Sequence, residues 1–299
     1  MNWVNTAILS AAIMGMVSIF DSHLLFKRMP GLRAFLLPVG IIHLIYGSLL
    51  FTLFPLPQGA GIWPVLAAVA SGMLRTAAVV IMLDSLKREE VSRVIPVVYT
   101  YPIFVAIMAT PLLGESLDSL EWLAIVIVVL GAVMASITQS PSGSIRWRGK
   151  LLLLFSASLL FAVADIASKY ALAYISFWNM FWLSAFCMSG IFLLVSVRPQ
   201  VIGQVIKMEQ RNSAMGLLVF NETLAPIGIV LSFWALERGP VSLVSTIISS
   251  RPMFVLMAAL ILSRLSPMFL KWRYGKWILA MRLIATAMIV SGIAIIHLV

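Results

Sequence analysis

VSRVIPVVYTYPIFVAIMATPLLGES, residues Val91 to Ser116, is stated twice in this chain. Moved 150 residues along without a gap, it falls on Val241 to Ser266, VSLVSTIISSRPMFVLMAALILSRLS. Val91 and Val241, Ser92 and Ser242, Pro102 and Pro252, Phe104 and Phe254, Val105 and Val255, Ala109 and Ala259, and Leu112 and Leu262 coincide. Each copy follows a charged helix end, SLKREE at Ser85 to Glu90 and ALERGP at Ala235 to Pro240. A fixed offset near half the chain length, shared by apolar segments, points to an internally duplicated membrane protein.

The composition agrees. Of the 299 residues 62% are hydrophobic and 11% charged, where soluble domains carry about 25% charge. The net charge of +10 sits in short loops between apolar runs, not in a basic domain, so no nucleic-acid partner is expected. The single cysteine, Cys187, has no partner for an intramolecular disulfide and reads as a buried small hydrophobe. The first apolar run, Val4 to Phe26, has neither the basic start nor the small-residue cleavage site of a signal peptide, and is read as part of the mature protein.

A hydrocarbon layer about 30 Å thick needs about 20 mostly apolar helical residues. Ten runs meet that measure: Val4–Phe26, Ala34–Phe54, Gly61–Leu83, Val91–Leu113, Leu120–Ile137, Leu151–Ile175, Trp178–Val197, Met215–Leu236, Val241–Leu262 and Trp277–Val299. Basic residues cluster in the odd-numbered loops: Lys27, Arg28 and Arg33; Lys87 and Arg88; Arg146, Arg148 and Lys150; Arg198, Lys207 and Arg211; Arg264, Lys271, Arg273 and Lys276. The even loops hold only Arg238. The positive-inside rule therefore predicts cytoplasmic odd loops and both termini outside the cytoplasm, in a multi-pass protein of the inner or plasma membrane. Trp147, Trp272, Tyr274 and Trp277 beside those loops fit an interfacial belt.

Five spans per half is odd, so the second half enters the membrane inverted. The expected fold is all-α and polytopic, ten transmembrane helices in two inverted five-helix repeats with the substrate site between them. The repeats cover residues 1–137 and 151–299. A polar cytoplasmic linker, Thr138 to Lys150, joins them within one integral membrane domain.

SLKREEVSRVIPVVYTYPIFVAIMATPLLGESL and WALERGPVSLVSTIISSRPMFVLMAALIL resemble the EamA-like group of the drug/metabolite transporter superfamily. The resembling features are a small-residue helix with a mid-helix proline, then Leu113-Gly114-Glu115 and a final helix. The second half departs from the pattern, with Leu262-Ser263-Arg264 near the corresponding place. The resemblance implies a bacterial ten-helix exporter and says little about its substrate.

Charged side chains deep in a span cost at least about 2.5–3.5 kcal/mol, so each asks for a reason. Arg75 and Glu222 lie at similar depths in repeat-related spans and are expected to pair, either as a structural ion pair or as one that opens to substrate. Arg251, mid-span in Ser249-Ser250-Arg251-Pro252, corresponds to Tyr101 in Tyr99-Thr100-Tyr101-Pro102. Pro252 removes a backbone donor, and a guanidinium flanked by hydroxyls suits a carboxylate or phosphate. The alternative is a counter-ion for Asp165, Glu222 or Asp21. Asp165 has Lys169 one turn later, spaced for an intrahelical pair; the alternative is that Lys169, near the outer end of its span, snorkels in a structural role. A buried carboxylate or histidine at Asp165, Asp21 or His43 is a candidate for proton coupling. Tyr99, Tyr101, Ser249 and Ser250 are expected to line the polar centre.

There is no Gly-x-x-x-x-Gly-Lys phosphate loop, no His-Glu-x-x-His, no clustered Cys/His set and no Gly-x-Ser-x-Gly elbow. No enzyme activity, cofactor or metal is expected. The expected activity is secondary transport, by alternating access, of a small polar solute bearing a carboxylate or phosphate. The alternative is a lipid flippase or scramblase gripping a lipid phosphate. Expected partners are that solute and membrane lipids, with the chain as monomer or homodimer.

Overall fold

The computed structural model describes residues 2–88, 91–136, 148–265 and 276–298. They form thirteen α-helices and no strand: α1 (Trp3–His23), α2 (Leu32–Leu53), α3 (Ile62–Arg88), α4 (Val91–Val98), α5 (Tyr101–Leu113), α6 (Ser119–Ser136), α7 (Arg148–Leu172), α8 (Phe177–Ser196), α9 (Pro199–Ile206), α10 (Arg211–Arg238), α11 (Val241–Ile248), α12 (Arg251–Leu265) and α13 (Lys276–Leu298). A π-helical turn, Leu24–Arg28, extends α1. Nine helices or helix pairs among the described residues are long and apolar enough to cross a membrane, and Tyr101–Leu113 is a shorter apolar helix. Large apolar side chains face outward, Leu194 at 84% exposure and Leu152 at 70%, as lipid contact allows.

The expected division between Ile175 and Trp178 has a local cause, and two other features differ from the sequence reading. A capping box starts α8: Ser176 Oγ accepts the Asn179 amide and Asn179 Oδ1 accepts the Ser176 amide, both at 3.2 Å. The short helix α9 was not anticipated; Pro199 starts it, and eight residues are too few to register as a span. The expected linker lies mostly at 138–147, outside the described residues, while Arg148, Gly149 and Lys150 already belong to α7. Trp147, Trp272 and Tyr274 also lie outside the described residues; Trp277 is exposed.

The fourth and ninth spans are each two helices. α4 gives way to α5 at Tyr99-Thr100, and α11 to α12 at Ser249-Ser250, the same place in the two copies of the repeated stretch. Both breaks come from proline. Pro102 cannot donate to the Val98 carbonyl, and Ser158 of α7 supplies that bond instead at 3.3 Å. Thr100 and Ser250 turn their hydroxyls onto the carbonyls of Val97 and Ile247 at 2.7 and 2.6 Å. In the backbone, i→i+3 bonds replace the α-helical ones: Ser250 to Ile247 at 3.0 Å and Met253 to Ser250 at 2.9 Å.

The main packing crosses between the halves. α2 lies along α8, α6 along α13, α3 along α7 and α1 along α10. Small residues let these helices close. A Cβ on Gly131 would sit 2.9 Å from the Ala285 carbonyl, and one on Gly292 would lie 2.5 Å from Val128. Gly15 packs against Phe254 in the same way, at 2.9 Å.

A candidate substrate cavity

The broken helices, α1, α2, α3, α7, α8 and α10 wall a cavity of about 200 Å³. It runs from the two mid-span breaks toward Asp21, Phe35 and Leu83, which are close to the helix ends carrying the first and third loops. Its apolar wall includes Met14, Phe161, Phe181, Met188 and Phe233. Its polar groups include Asp21, His43, Arg75, Tyr99, Tyr101, Glu222 and Arg251.

Arg75 does not pair with Glu222 as expected. Its Nη2 donates to Asp165 Oδ1 at 2.6 Å, with side chains 27% and 3% exposed. The expectation aligned the repeats but ignored which helices touch: α3 packs on α7, so Asp165 is the carboxylate within reach. Asp165 Oδ2 accepts the Ser245 hydroxyl, and the Ser245 carbonyl accepts the Tyr101 hydroxyl at 3.2 Å. One chain of bonds thus ties α3, α7, α11 and α5. Arg75 also lies over the Phe233 ring, 5.6 Å from its centroid, and its Nε is buried without a hydrogen-bond partner.

Lys169 is likewise not paired with Asp165. Its Nζ donates to the carbonyls of Leu236 and Gly239 at 2.8 Å and of Glu237 at 3.4 Å, capping the C-terminus of α10. Glu115 of the Leu-Gly-Glu motif works at the other end of the same loop. Gly114 adopts φ +70°, which a glycine takes without steric cost. The turn brings the Glu115 carboxylate onto the amides of Val241 (2.5 Å) and Ser242 (3.2 Å) and the Ser242 hydroxyl (2.7 Å), capping α11. Asn179 and Trp182 donate to the Phe54 carbonyl at 2.8 and 3.0 Å, fastening α8 to the end of α2. All these contacts lie at the even-loop end, opposite the end toward which the cavity runs.

Ser249 and Ser250 do not line the cavity, contrary to expectation. Both are fully buried, and their hydroxyls bond the backbone carbonyls of Thr246 and Ile247. Glu222 instead meets His43, Nδ1 to Oε2 at 3.5 Å. Asp21 accepts the Asn221 amide at 2.7 Å. Asn221 and Ser245 were missed by the sequence reading. The signal for each is a polar residue inside an apolar span, beside Glu222 and in a serine-rich run respectively.

Arg251 opens α12. It lies beside Tyr99 at the cavity wall, and its Nε is buried with no partner. Among the described residues no carboxylate pairs with it, since the three named as counter-ions are engaged by Arg75, His43 and Asn221.

These helices and this cavity bring the comparisons to bear. Residues 1–137 match the EamA-like transporter family. That match spans α1 to α6 and includes the Leu-Gly-Glu motif, and the long apolar helices are those of a multi-pass membrane protein. No curated protein matches it. Among solved structures 27 chains match. One of them, a crystal structure of another protein, superposes over 99% of this chain and 95% of that one with a TM-score of 0.67 at 17% identity. At that identity the likeness shows the fold alone.

Proposed function

We propose that this EamA-like protein is a secondary transporter, an exporter or exchanger of a small polar solute bearing a carboxylate or phosphate. It is built of two inverted five-helix repeats that alternate access to the cavity between them. The observation that carries the solute class is Arg251, a guanidinium in a membrane-enclosed cavity with no carboxylate partner among the described residues. Leaving a charge so placed is costly, and an anion that forms two parallel N–H···O bonds removes the cost. The positive end of the α12 dipole, which starts at Arg251, acts in the same sense.

The inverted repeat is supported by the two helix breaks at a common offset and by the packing pattern. Exchanging first-half helices for their second-half counterparts turns the α3–α7 contact into α10–α1, and leaves α2–α8 and α6–α13 unchanged. The basic odd loops support termini outside the cytoplasm. With that orientation the cavity extends to the cytoplasmic side.

The test is a thermal-stability screen of the purified protein against organic acids, sugar phosphates, amino acids and lipid head groups, in parallel on Arg251→Ala. A ligand bound only by the folded form stabilises it by RT ln(1 + [L]/Kd), about 2.7 kcal/mol at a hundredfold excess over Kd. One anionic class is expected to stabilise the wild type and not the variant. Equal stabilisation of both would remove Arg251 from the site. A response confined to phospholipid would favour the flippase reading.

A further inference from the structure

Residues 197–210 join α8 to α10, and eight of them form α9 (Pro199–Ile206). The helical period gives α9 two apolar stripes. Val201 and Val205, one turn apart, pack with Ala34 and Leu37 of α2 and with Leu193 of α8. Ile202 and Ile206, also one turn apart, are turned away from that contact and are 40% and 57% exposed. Gln200, Gln204 and Lys207 make up the polar side, and all three are exposed. Leu194 and Val197, where α8 gives way to α9, are exposed as well. One half of the apolar face therefore holds α9 to the bundle, and the other half is uncovered. An amphipathic helix so placed lies in the plane of the membrane surface, with its free apolar side chains at the level of the acyl chains.

The charge around α9 is one-sided. Residues 22–42 and 197–220 contain Lys27, Arg28, Arg33, Arg198, Lys207 and Arg211 against one carboxylate, Glu209. Arg198 and Lys207 flank α9 at its two ends, and Arg33 precedes Ala34, which packs with Val201. Arg28 donates to the Gln210 side chain, tying the end of α1 to the loop just beyond α9. Arg33, Arg198, Lys207 and Arg211 are exposed. Among the described residues none of these four is in an ion pair. Uncovered isoleucines beside unpaired cations match a phospholipid with a net negative head group. Its acyl chains cover Ile202 and Ile206, and its phosphate accepts hydrogen bonds from Arg198, Lys207 or Arg33. A free phosphate answers only the charges, and a zwitterionic lipid mainly the isoleucines.

We propose that α9 and the start of α2 form a surface site for an anionic phospholipid, in the leaflet on the side of the odd-numbered loops. The site is outside the cavity and independent of what the cavity carries. It stands behind the cavity's mouth. Ala34 and Leu193, which pack with α9, neighbour Phe35 and Phe192 in the chain, and both phenylalanines line the cavity. A lipid seated on α9 braces the wall of that mouth from outside.

The experiment uses the purified full-length protein in dodecyl maltoside micelles. Its melting temperature is titrated with dioleoylphosphatidylglycerol, with dioleoylphosphatidylcholine and with glycerol 3-phosphate. Wild type is compared with Arg198→Gln/Lys207→Gln, Ile202→Ser/Ile206→Ser, Arg251→Ala and Arg264→Gln/Lys271→Gln. The quantity read is the rise of each protein over its own lipid-free value, so a loss of basal stability does not mimic a loss of binding. The anionic lipid is expected to stabilise the wild type saturably and more than the zwitterionic one. Its half-saturating mole fraction should rise roughly tenfold or more in Arg198→Gln/Lys207→Gln. It should also rise in Ile202→Ser/Ile206→Ser, and hold in Arg251→Ala and Arg264→Gln/Lys271→Gln. Where one α9 variant does not fold, the other reads the same site through the other half of its chemistry. In the wild type, hydrogen exchange across α9 should slow when the anionic lipid is added.

An equal response to the two lipids, or to glycerol 3-phosphate, overturns the site, and so does unchanged exchange across α9. A loss shared by Arg264→Gln/Lys271→Gln overturns it too, since attraction to net charge alone would account for it. A response lost in Arg251→Ala and kept in both α9 variants puts the lipid in the cavity, which overturns the surface site and favours the flippase reading. Because the α9 variants leave Arg251 intact, failure of the anion screen and failure of this site are read separately.

Discussion

At Arg75, reach decides the partner. The guanidinium pairs with Asp165 because α3 and α7 lie against one another, while Glu222 meets His43. Removing one member of a buried pair leaves an uncompensated charge, at a cost of about 3–5 kcal/mol, whereas removing both is far milder. Arg75→Gln and Asp165→Asn should each lower the melting temperature strongly, and the double variant should recover much of the loss. Arg75→Gln with Glu222→Gln should instead show additive losses. Melting curves of the four proteins and their double-mutant cycles check this. The sequence made Arg75, Asp165, Glu222 and Arg251 stand out, because charge inside a span is rare. It did not say which meets which, since repeat alignment fixes depth and not contact. Ser249 and Ser250 illustrate the same gap. Hydroxyls beside a mid-span arginine read as ligands, yet both are consumed by backbone carbonyls of the turn before them, Thr246 and Ile247.

Among the elements, the broken spans wall the cavity, and side chains cap both ends of the α10–α11 loop. Pro102 and Pro252 mark the breaks in the sequence itself, and the loss of an amide at each is a local event that needs no tertiary knowledge. The Leu-Gly-Glu motif was legible as a pattern only. Its work, a carboxylate on the first turn of α11, depends on α5 ending beside the α10–α11 loop. An N-cap of this kind contributes about 1 kcal/mol. Glu115→Ala should therefore speed hydrogen exchange at Val241 and Ser242 roughly fivefold, with little change in α6. Unchanged exchange there would mean the carboxylate adds nothing to closure at that end. Lys169 was legible as a charge near a span end, but its grip on the α10 carbonyls comes from the packing of α7 on α10.

For the whole molecule, orientation is the prediction that matters most. In a Cys187→Ser background, Gln58→Cys in the α2–α3 loop should react with a membrane-impermeant maleimide on intact cells. Gln204→Cys on α9 should react only after permeabilisation. The opposite pattern would invert the topology and turn the cavity to the outside. The sequence by itself determined the membrane class and the long apolar helices, and it carried the prolines at which two of the expected spans are divided. Each follows from local quantities: apolar length against bilayer thickness and proline's missing hydrogen. Only the tertiary structure decided the pairing of charges, the occupant of each serine hydroxyl and the walls of the cavity. Those depend on which helix faces lie a few ångströms apart. That is set by small residues such as Gly15, Gly131 and Gly292 meeting partners more than a hundred residues away, and no pattern along the chain records such distances.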